Sequence, residues 1–205
     1  MVKIYLDAGH GGLKNGRYTT SPNKQFRHPA ANEFHGGGWF FEGVFNRALV
    51  AAIEKRLKEF NTPCLVVSHP TDDITLAARV KRANDDYRAI RTSTPFALYV
   101  SVHANASPTH TARGWEVFAI NSTGQGARVA TLMGEEYKKA FIERFRGVKQ
   151  ANFFVLKHTV MPAVLTENFF FDQIDDARMM MREDVVRKLA DVHVNAINKY
   201  IDTIV

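Results

Sequence analysis

Short apolar runs alternate with segments of helical periodicity along most of the chain, and this alternation constrains the fold more than any other feature. Strands are predicted at residues 2–6, 64–68, 96–103, 115–120, 153–156 and 163–166, and helices at residues 43–60, 76–90, 125–145 and 184–204. Strands that alternate with helices form a sheet covered by helices. We therefore expect one α/β domain, with a mixed, mostly parallel twisted sheet of about six strands and helices on both faces.

One segment, residues 13–41, lacks this alternation. It is rich in glycine, asparagine, proline and aromatic residues, and neither a helix nor a strand period runs through it. Connections of this length in a compact domain are usually functional or disordered, and disordered segments contain few aromatic residues. We predict a folded, aromatic-rich flap over residues 13–41, close to His10.

The composition, 45% hydrophobic and 23% charged, is ordinary for a globular domain. No apolar stretch approaches the roughly 18 residues that cross a bilayer, so no membrane insertion is expected. Met1 leads directly into a predicted strand, without the layout of a secretory signal. The single cysteine, Cys64, excludes a disulfide within the chain and a cysteine-based zinc cluster.

Two histidines stand where predicted strands end. His10 lies in a glycine-rich turn, residues 9–12, and His103 ends an otherwise apolar strand. Ligands collect at the carboxyl ends of the strands in open α/β sheets. Either histidine alone could be structural, but two in matching contexts indicate a metal site. Of the other six, His193 is expected in the core. The rest are expected at the surface unless His35 or His69 lines the cleft.

Acidic residues supply candidates for the rest of this site. Catalytic zinc sites commonly hold two histidines and a carboxylate, with one position open. Glu42 is the preferred third ligand because it opens a predicted helix beside the sheet edge, and Glu33 is the substitute. The structural alternative is that Glu42 only interacts with the helix dipole.

A further carboxyl group, that of Glu167, is the candidate catalytic residue. It follows the predicted strand 163–166 and precedes the aromatic run 169–171. Burial in such apolar surroundings is costly and raises a carboxyl pKa, which suits a general base. The alternative is a carboxylate that only stabilises a turn. Asp7 is expected to orient a histidine or the glycine-rich turn.

Four short motifs follow one another along the chain. They are residues 7–12 (DAGHGG), Glu42 at the start of a helix that contains Asn46, residues 101–106 (SVHANA) and residues 161–167 (MPAVLTE). In this order they resemble the zinc-dependent N-acetylmuramoyl-L-alanine amidases. Residues 76–79, 113–118 and 147–149 are also family-like, so the resemblance spans nearly the whole chain.

The resemblance implies that His10, Glu42 and His103 bind Zn²⁺ and that Glu167 is the catalytic glutamate. Residues 1–205 would form a single zinc amidase catalytic domain. It would hydrolyse the amide bond between N-acetylmuramic acid and L-alanine in peptidoglycan, in cell-wall lysis or remodelling. We expect a monomer that acts on peptidoglycan and has no nucleic-acid partner.

Two alternatives stay open from the sequence. One is a zinc peptidase or deacylase that acts on a soluble acyl-amino compound with the same four residues. The other is a catalytically silent domain that binds cell wall or nucleic acid, which the net charge of +6 favours and the intact set of site residues opposes.

Without a signal, we expect synthesis in the cytoplasm and action on the cell wall. The protein would be released like a phage lysin or would be an exported enzyme lacking its leader.

Overall fold

The computed structural model describes residues 2–20, 24–29 and 34–204. The strands are β1 (Val2–Ala8), β2 (Leu13–Lys14), β3 (Arg17–Tyr18), β4 (Gln25–Arg27), β5 (Trp39–Phe41), β6 (Cys64–Val66), β7 (Phe96–Asn105), β8 (Trp115–Ala119), β9 (Phe145–Gln150) and β10 (Ala163–Phe170). The helices are α1 (Glu42–Glu59), α2 (Leu76–Ile90), α3 (Gly124–Ala140), α4 (Phe154–His158), α5 (Ile174–Met180) and α6 (Glu183–Ile201).

The main sheet has the strand order β6–β1–β7–β10–β8–β9. The first four strands are parallel, β8 is antiparallel to β10, and β9 is parallel to β8. This arrangement confirms the predicted mixed, mostly parallel sheet of six strands. The carboxyl ends of β1, β7 and β10 therefore lie side by side, in the order that brings the predicted site residues to one edge.

The strands are buried on both faces, and the side-chain alternation of β1 shows why. Ile4 and Leu6 pack into a core formed with α1, α3, α5 and α6, whereas Tyr5 faces a second core beneath α2 and α4. Neighbouring β7 repeats the pattern in register, with Ile4 opposite Leu98 and Tyr5 opposite Tyr99. Helices thus cover both faces, as expected. Within the described residues, no helix is long and apolar enough to span a bilayer.

Two predicted elements are wrong and one short helix was not predicted. Residues 153–156, expected as a strand, belong to the short helix α4 and its N-cap Phe153. The helix expected over 125–145 ends at Ala140, and the chain then forms the edge strand β9. Helix α5 follows the central strand β10 directly.

The described parts of the 13–41 segment form two small antiparallel pairs, β2 with β3 and β4 with β5. Phe34 and Phe40 are buried, and the Phe40 ring stacks on Phe171 after β10, with centroids 6.1 Å apart. Strand β5 leads directly into α1, so this segment sets the position of Glu42, the first helical residue.

Candidate metal centre

Three elements deliver the three predicted ligands. His10 follows β1 in a left-handed backbone conformation (φ 63°), Glu42 is the first residue of α1, and His103 lies near the end of β7. Gly9 allows the histidines to come close, because a Cβ atom there would stand 2.2 Å from the His103 ring. A side chain at residue 9 would therefore displace His103.

The ligand atoms of His10, Glu42 and His103 all lie within 4.8 Å of one another. Oε1 of Glu42 is 3.2 Å from Nε2 of His10 and 3.1 Å from Nδ1 of His103. Two atoms bound to one tetrahedral zinc ion lie about 3.3 Å apart, given metal–ligand distances near 2.0 Å. The spacing of this cluster therefore fits a shared cation.

Unpaired polar atoms support the same conclusion. Glu42 is 1% exposed, and its Oε2 has no hydrogen-bond partner within the described structure. Nε2 of His10 is also buried and has no hydrogen-bond partner among the described residues, although it lies 3.2 Å from Oε1 of Glu42. Buried polar atoms without partners are costly, and a divalent cation would satisfy both. Two imidazoles and a carboxylate are a donor set that suits Zn²⁺.

The electrostatics of the cluster favour the metal-binding forms of Glu42 and His10. Burial opposes ionisation of Glu42, but contacts with His10 and His103 and their charge outweigh it and lower its pKa. Burial lowers the pKa of His10. Burial acts in the same direction on His103, but its hydrogen bond to Glu42 prevails and raises its pKa. These shifts favour an ionised carboxylate and a neutral His10 imidazole, as ligation requires, whereas His103 must release the proton that Glu42 stabilises before it can bind a metal.

Glu167, the predicted catalytic residue, stands beside the cluster. It lies on β10 opposite His103 in the register, and its side chain lines the same cleft as His10 and His103. Its Oε2 is buried without a hydrogen-bond partner in the described structure. Burial, with the charge of Glu42, raises the pKa of Glu167 to about 8, so the group can hold or release a proton near neutrality.

The glycine-rich turn is held by a buried arginine for which the sequence predicts no role. Arg79 of α2 is 1% exposed and pairs with Asp7 at 2.7 Å. It also donates to the carbonyl oxygens of Ala8 and His10. Asp7 thus acts on the turn through Arg79, and it accepts a further hydrogen bond from Ser101. The sequence signal that could have indicated this role is the position of a charged residue, Arg79, next to apolar residues within a predicted helix.

The remaining histidines lie away from the cluster. His193 is fully buried, as predicted, whereas His28 was expected at the surface but is buried and bonds to the carbonyl oxygen of Phe171. His35 accepts a hydrogen bond from the Phe41 amide and lines a separate cavity beside α1 and α6. His69 caps the following turn. The substitute ligand Glu33 lies outside the described residues.

Fold and site together define an α/β domain with a candidate two-histidine, one-carboxylate metal centre at the carboxyl edge of its parallel strands. The family model for N-acetylmuramoyl-L-alanine amidase matches residues 4–199, and the chain belongs to this family. The expected resemblance is thus confirmed.

Relatives and solved structures agree with this assignment. The chain is 32% identical over 208 residues to an endolysin of Bacillus phage SPP1, covering 95% of this chain and 64% of the endolysin. It is 30% identical over 204 residues to the N-acetylmuramoyl-L-alanine amidase CwlM of Bacillus licheniformis. This match covers 96% of this chain and 68% of CwlM. A solved structure of similar fold is the catalytic domain of CwlV, an N-acetylmuramoyl-L-alanine amidase from Bacillus (Paenibacillus) polymyxa var. colistinus. It superposes with a TM-score of 0.77 at 25% identity, and the match covers 98% of this chain and 99% of the CwlV domain.

Proposed function

We propose that this protein is a zinc-dependent amidase that hydrolyses the bond between N-acetylmuramic acid and the L-alanine of the peptidoglycan stem peptide. The observation that carries the proposal is the convergence of His10, Glu42 and His103 around one point, with Glu167 in the same cleft. Membership of the amidase family supplies the substrate class. The protein would act on the cell wall, as the endolysin relationship suggests.

His10, Glu42 and His103 would hold the zinc ion. Zn²⁺ at such a site polarises a carbonyl group and increases the acidity of water. The protein contributes orientation, since Gly9 lets the two imidazoles approach and Arg79 fixes the carbonyl groups of the turn.

Glu167 would transfer the proton. It accepts a proton from the attacking water and passes it to the departing nitrogen of L-alanine, while the C–N bond breaks and a carboxylate forms on the lactyl group. A pKa raised toward neutrality suits a group that must accept and then donate a proton. Its unpaired Oε2 leaves an oxygen free for water or the amine.

The test combines metal analysis with product identification. We expect about one zinc ion per chain, and new L-alanine amino termini in digested peptidoglycan without new reducing sugar ends. Chelation should abolish release and added Zn²⁺ should restore it. Activity confined to small acyl-amino compounds would favour the peptidase or deacylase alternative. Chelator-insensitive wall binding without hydrolysis would favour the silent domain.

The Glu167→Gln variant tests the assigned role within the same experiment. We expect zinc content to be unchanged and the rate to fall by a factor of about 10² to 10⁴, the usual contribution of general acid–base catalysis. Glu183→Gln is the matched control, because that side chain is 92% exposed at the start of α6. A Glu167→Gln protein with full zinc and full activity would remove the proposed role.

A further inference from the structure

Three large hydrophobic side chains line the cleft. They are Leu76 at the start of α2 and Phe153 and Phe154 at the start of α4, here called the apolar wall. Their exposed fractions are 47%, 37% and 38%. Single exposed hydrophobic residues are normal, but three that share a cleft with His10 and Glu167 indicate a binding surface.

The two aromatic rings are supported by other rings. Phe153 makes an edge-to-face contact with Phe118 of β8, with centroids 5.2 Å apart. Phe154 packs on His158, one helical turn later, at 4.2 Å. The rings are thus held before any ligand arrives, which reduces the entropy that binding costs.

Hydrogen bonds of Asn84 in α2 connect the two helices, α2 and α4, at whose starts the residues of the apolar wall lie. Its Nδ2 donates to the carbonyl oxygen of His158 at 2.9 Å, and its Oδ1 accepts from the amide of Val160 at 3.0 Å. Asn84 is 7% exposed, so its side of these bonds is buried, while the partner residues His158 and Val160 lie nearer the surface. They hold the end of α4 against α2, the helix that begins with Leu76.

The cleft also contains a cationic side chain, which lies beside the candidate metal ligand Glu42. The apolar wall contains no charged residue, whereas Lys24 also lines the cleft and its Nζ lies 3.9 Å from Oε2 of Glu42. The substrate of the proposed reaction likewise has an uncharged part and a charged part on the two sides of the scissile bond. Its acyl side carries a neutral sugar ring, and its amine side carries a peptide with free carboxylates.

We propose that the apolar wall is the subsite for the pyranose ring on the acyl side of the scissile amide. The C–H face of an N-acetylated hexosamine would pack on the flat faces of Phe153 and Phe154. The anionic stem peptide would then extend toward Lys24. This inference rests on the proposed function and deepens it, because it assigns the sugar to particular residues.

The test compares two substrates with one variant. The substrates are an N-acetylmuramyl peptide and the same peptide acylated by D-lactic acid alone, which lacks the sugar. In the double variant Phe153→Leu, Phe154→Leu, side chains stay apolar but lose their flat faces. We expect kcat/KM for the muramyl peptide to fall about tenfold, mainly through KM, and that for the lactyl peptide to stay within about twofold.

Phe60→Leu is the matched control, because Phe60 is 49% exposed at the end of α1 and does not line the cleft. Equal effects on both substrates, including no effect or complete loss, would overturn the inference. Binding of N-acetylmuramic acid alone, followed by NMR titration, tests the subsite without turnover and should weaken in the double variant. A wild-type protein that binds the sugar but cleaves neither substrate would instead refute the proposed function.

Discussion

Arg79 shows how one residue can position a candidate metal ligand through hydrogen bonds to its backbone. Its guanidinium is buried, pairs with Asp7 and donates to backbone carbonyls on both sides of Gly9. Its planar, forked array of donors allows it to bind these acceptors together, whereas a lysine ammonium would not span them. The loop that carries His10 therefore depends on a helix from the opposite side of the sheet.

We predict that Arg79→Met lowers the free energy of unfolding by about 3–5 kcal/mol, because the Asp7 carboxylate stays buried without its partner. Zinc affinity should fall with it, since the His10 turn loses its support. Urea denaturation and competition with a zinc chelator measure the two effects. Arg88→Met is the control, because Arg88 is 57% exposed on the same helix. Unchanged zinc affinity in Arg79→Met would contradict the positioning role.

At the scale of elements, the contact between α6 and β10 contains a buried titratable group. Nδ1 of His193 donates to the carbonyl oxygen of Leu189 at 2.7 Å, which leaves Nε2 to accept from the Thr166 hydroxyl at 3.0 Å. Burial lowers the pKa of His193 from 6.5 to about 4. The folded protein therefore keeps this imidazole neutral at pH values where the unfolded chain protonates it.

This pKa difference predicts a pH-dependent stability. The folded pKa lies below the unfolded one, so the contribution is fully present above pH 6.5 and is lost as the pH falls toward 4. We expect the free energy of unfolding of the wild type to fall by up to about 1.4 kcal/mol per pH unit more steeply than that of His193→Gln in this window. Urea titrations at pH 7, 6 and 5 measure the difference. Parallel curves for the two proteins would contradict it.

Some elements can be predicted from the sequence and others cannot, for physical reasons. Strands β1 and β7 are mostly apolar because both of their faces are buried. The edge strand β9 is only half-buried, and Arg146, Lys149 and Gln150 interrupt any apolar alternation. The run 153–156 fits a strand or a buried helix equally well, since four apolar residues carry no period.

The same reasoning applies to the site. His10, His103 and Glu167 follow or end apolar strands, so a parallel sheet predicts that they lie at one edge, while the strand order that makes them neighbours comes from the structure. Lys24 and Arg79 reach their positions only through tertiary contacts, from the 13–41 segment and from the far face of the sheet. Such contacts between distant residues leave no local sequence pattern from which they could be predicted.

At the scale of the whole molecule, the candidate metal centre brings together parts that are otherwise separate. The turn after β1, the start of α1 and the end of β7 each supply one candidate ligand. A ligand that binds only the folded state stabilises it by mass action. Zn²⁺ binding should therefore stabilise the whole domain and not only the cleft.

We predict that Zn²⁺ at about 100 times its Kd raises the melting temperature by roughly 5–10 °C, equivalent to about 2.7 kcal/mol for a domain of this size. Differential scanning calorimetry with and without a chelator measures the shift. Glu42→Gln should show little shift, because it lacks one ligand charge. An equal shift in that variant would place the stabilising ion elsewhere.

The sheet order also has a consequence for biosynthesis. Among the described strands β10 is the last along the chain, yet it lies between β7 and β8 and carries Glu167. Until it emerges, the β8–β9 pair has no strand partner in the rest of the sheet, and the cleft lacks the proposed proton carrier. We therefore expect a nascent chain to gain the complete sheet and the proposed proton carrier in one step, when β10 emerges.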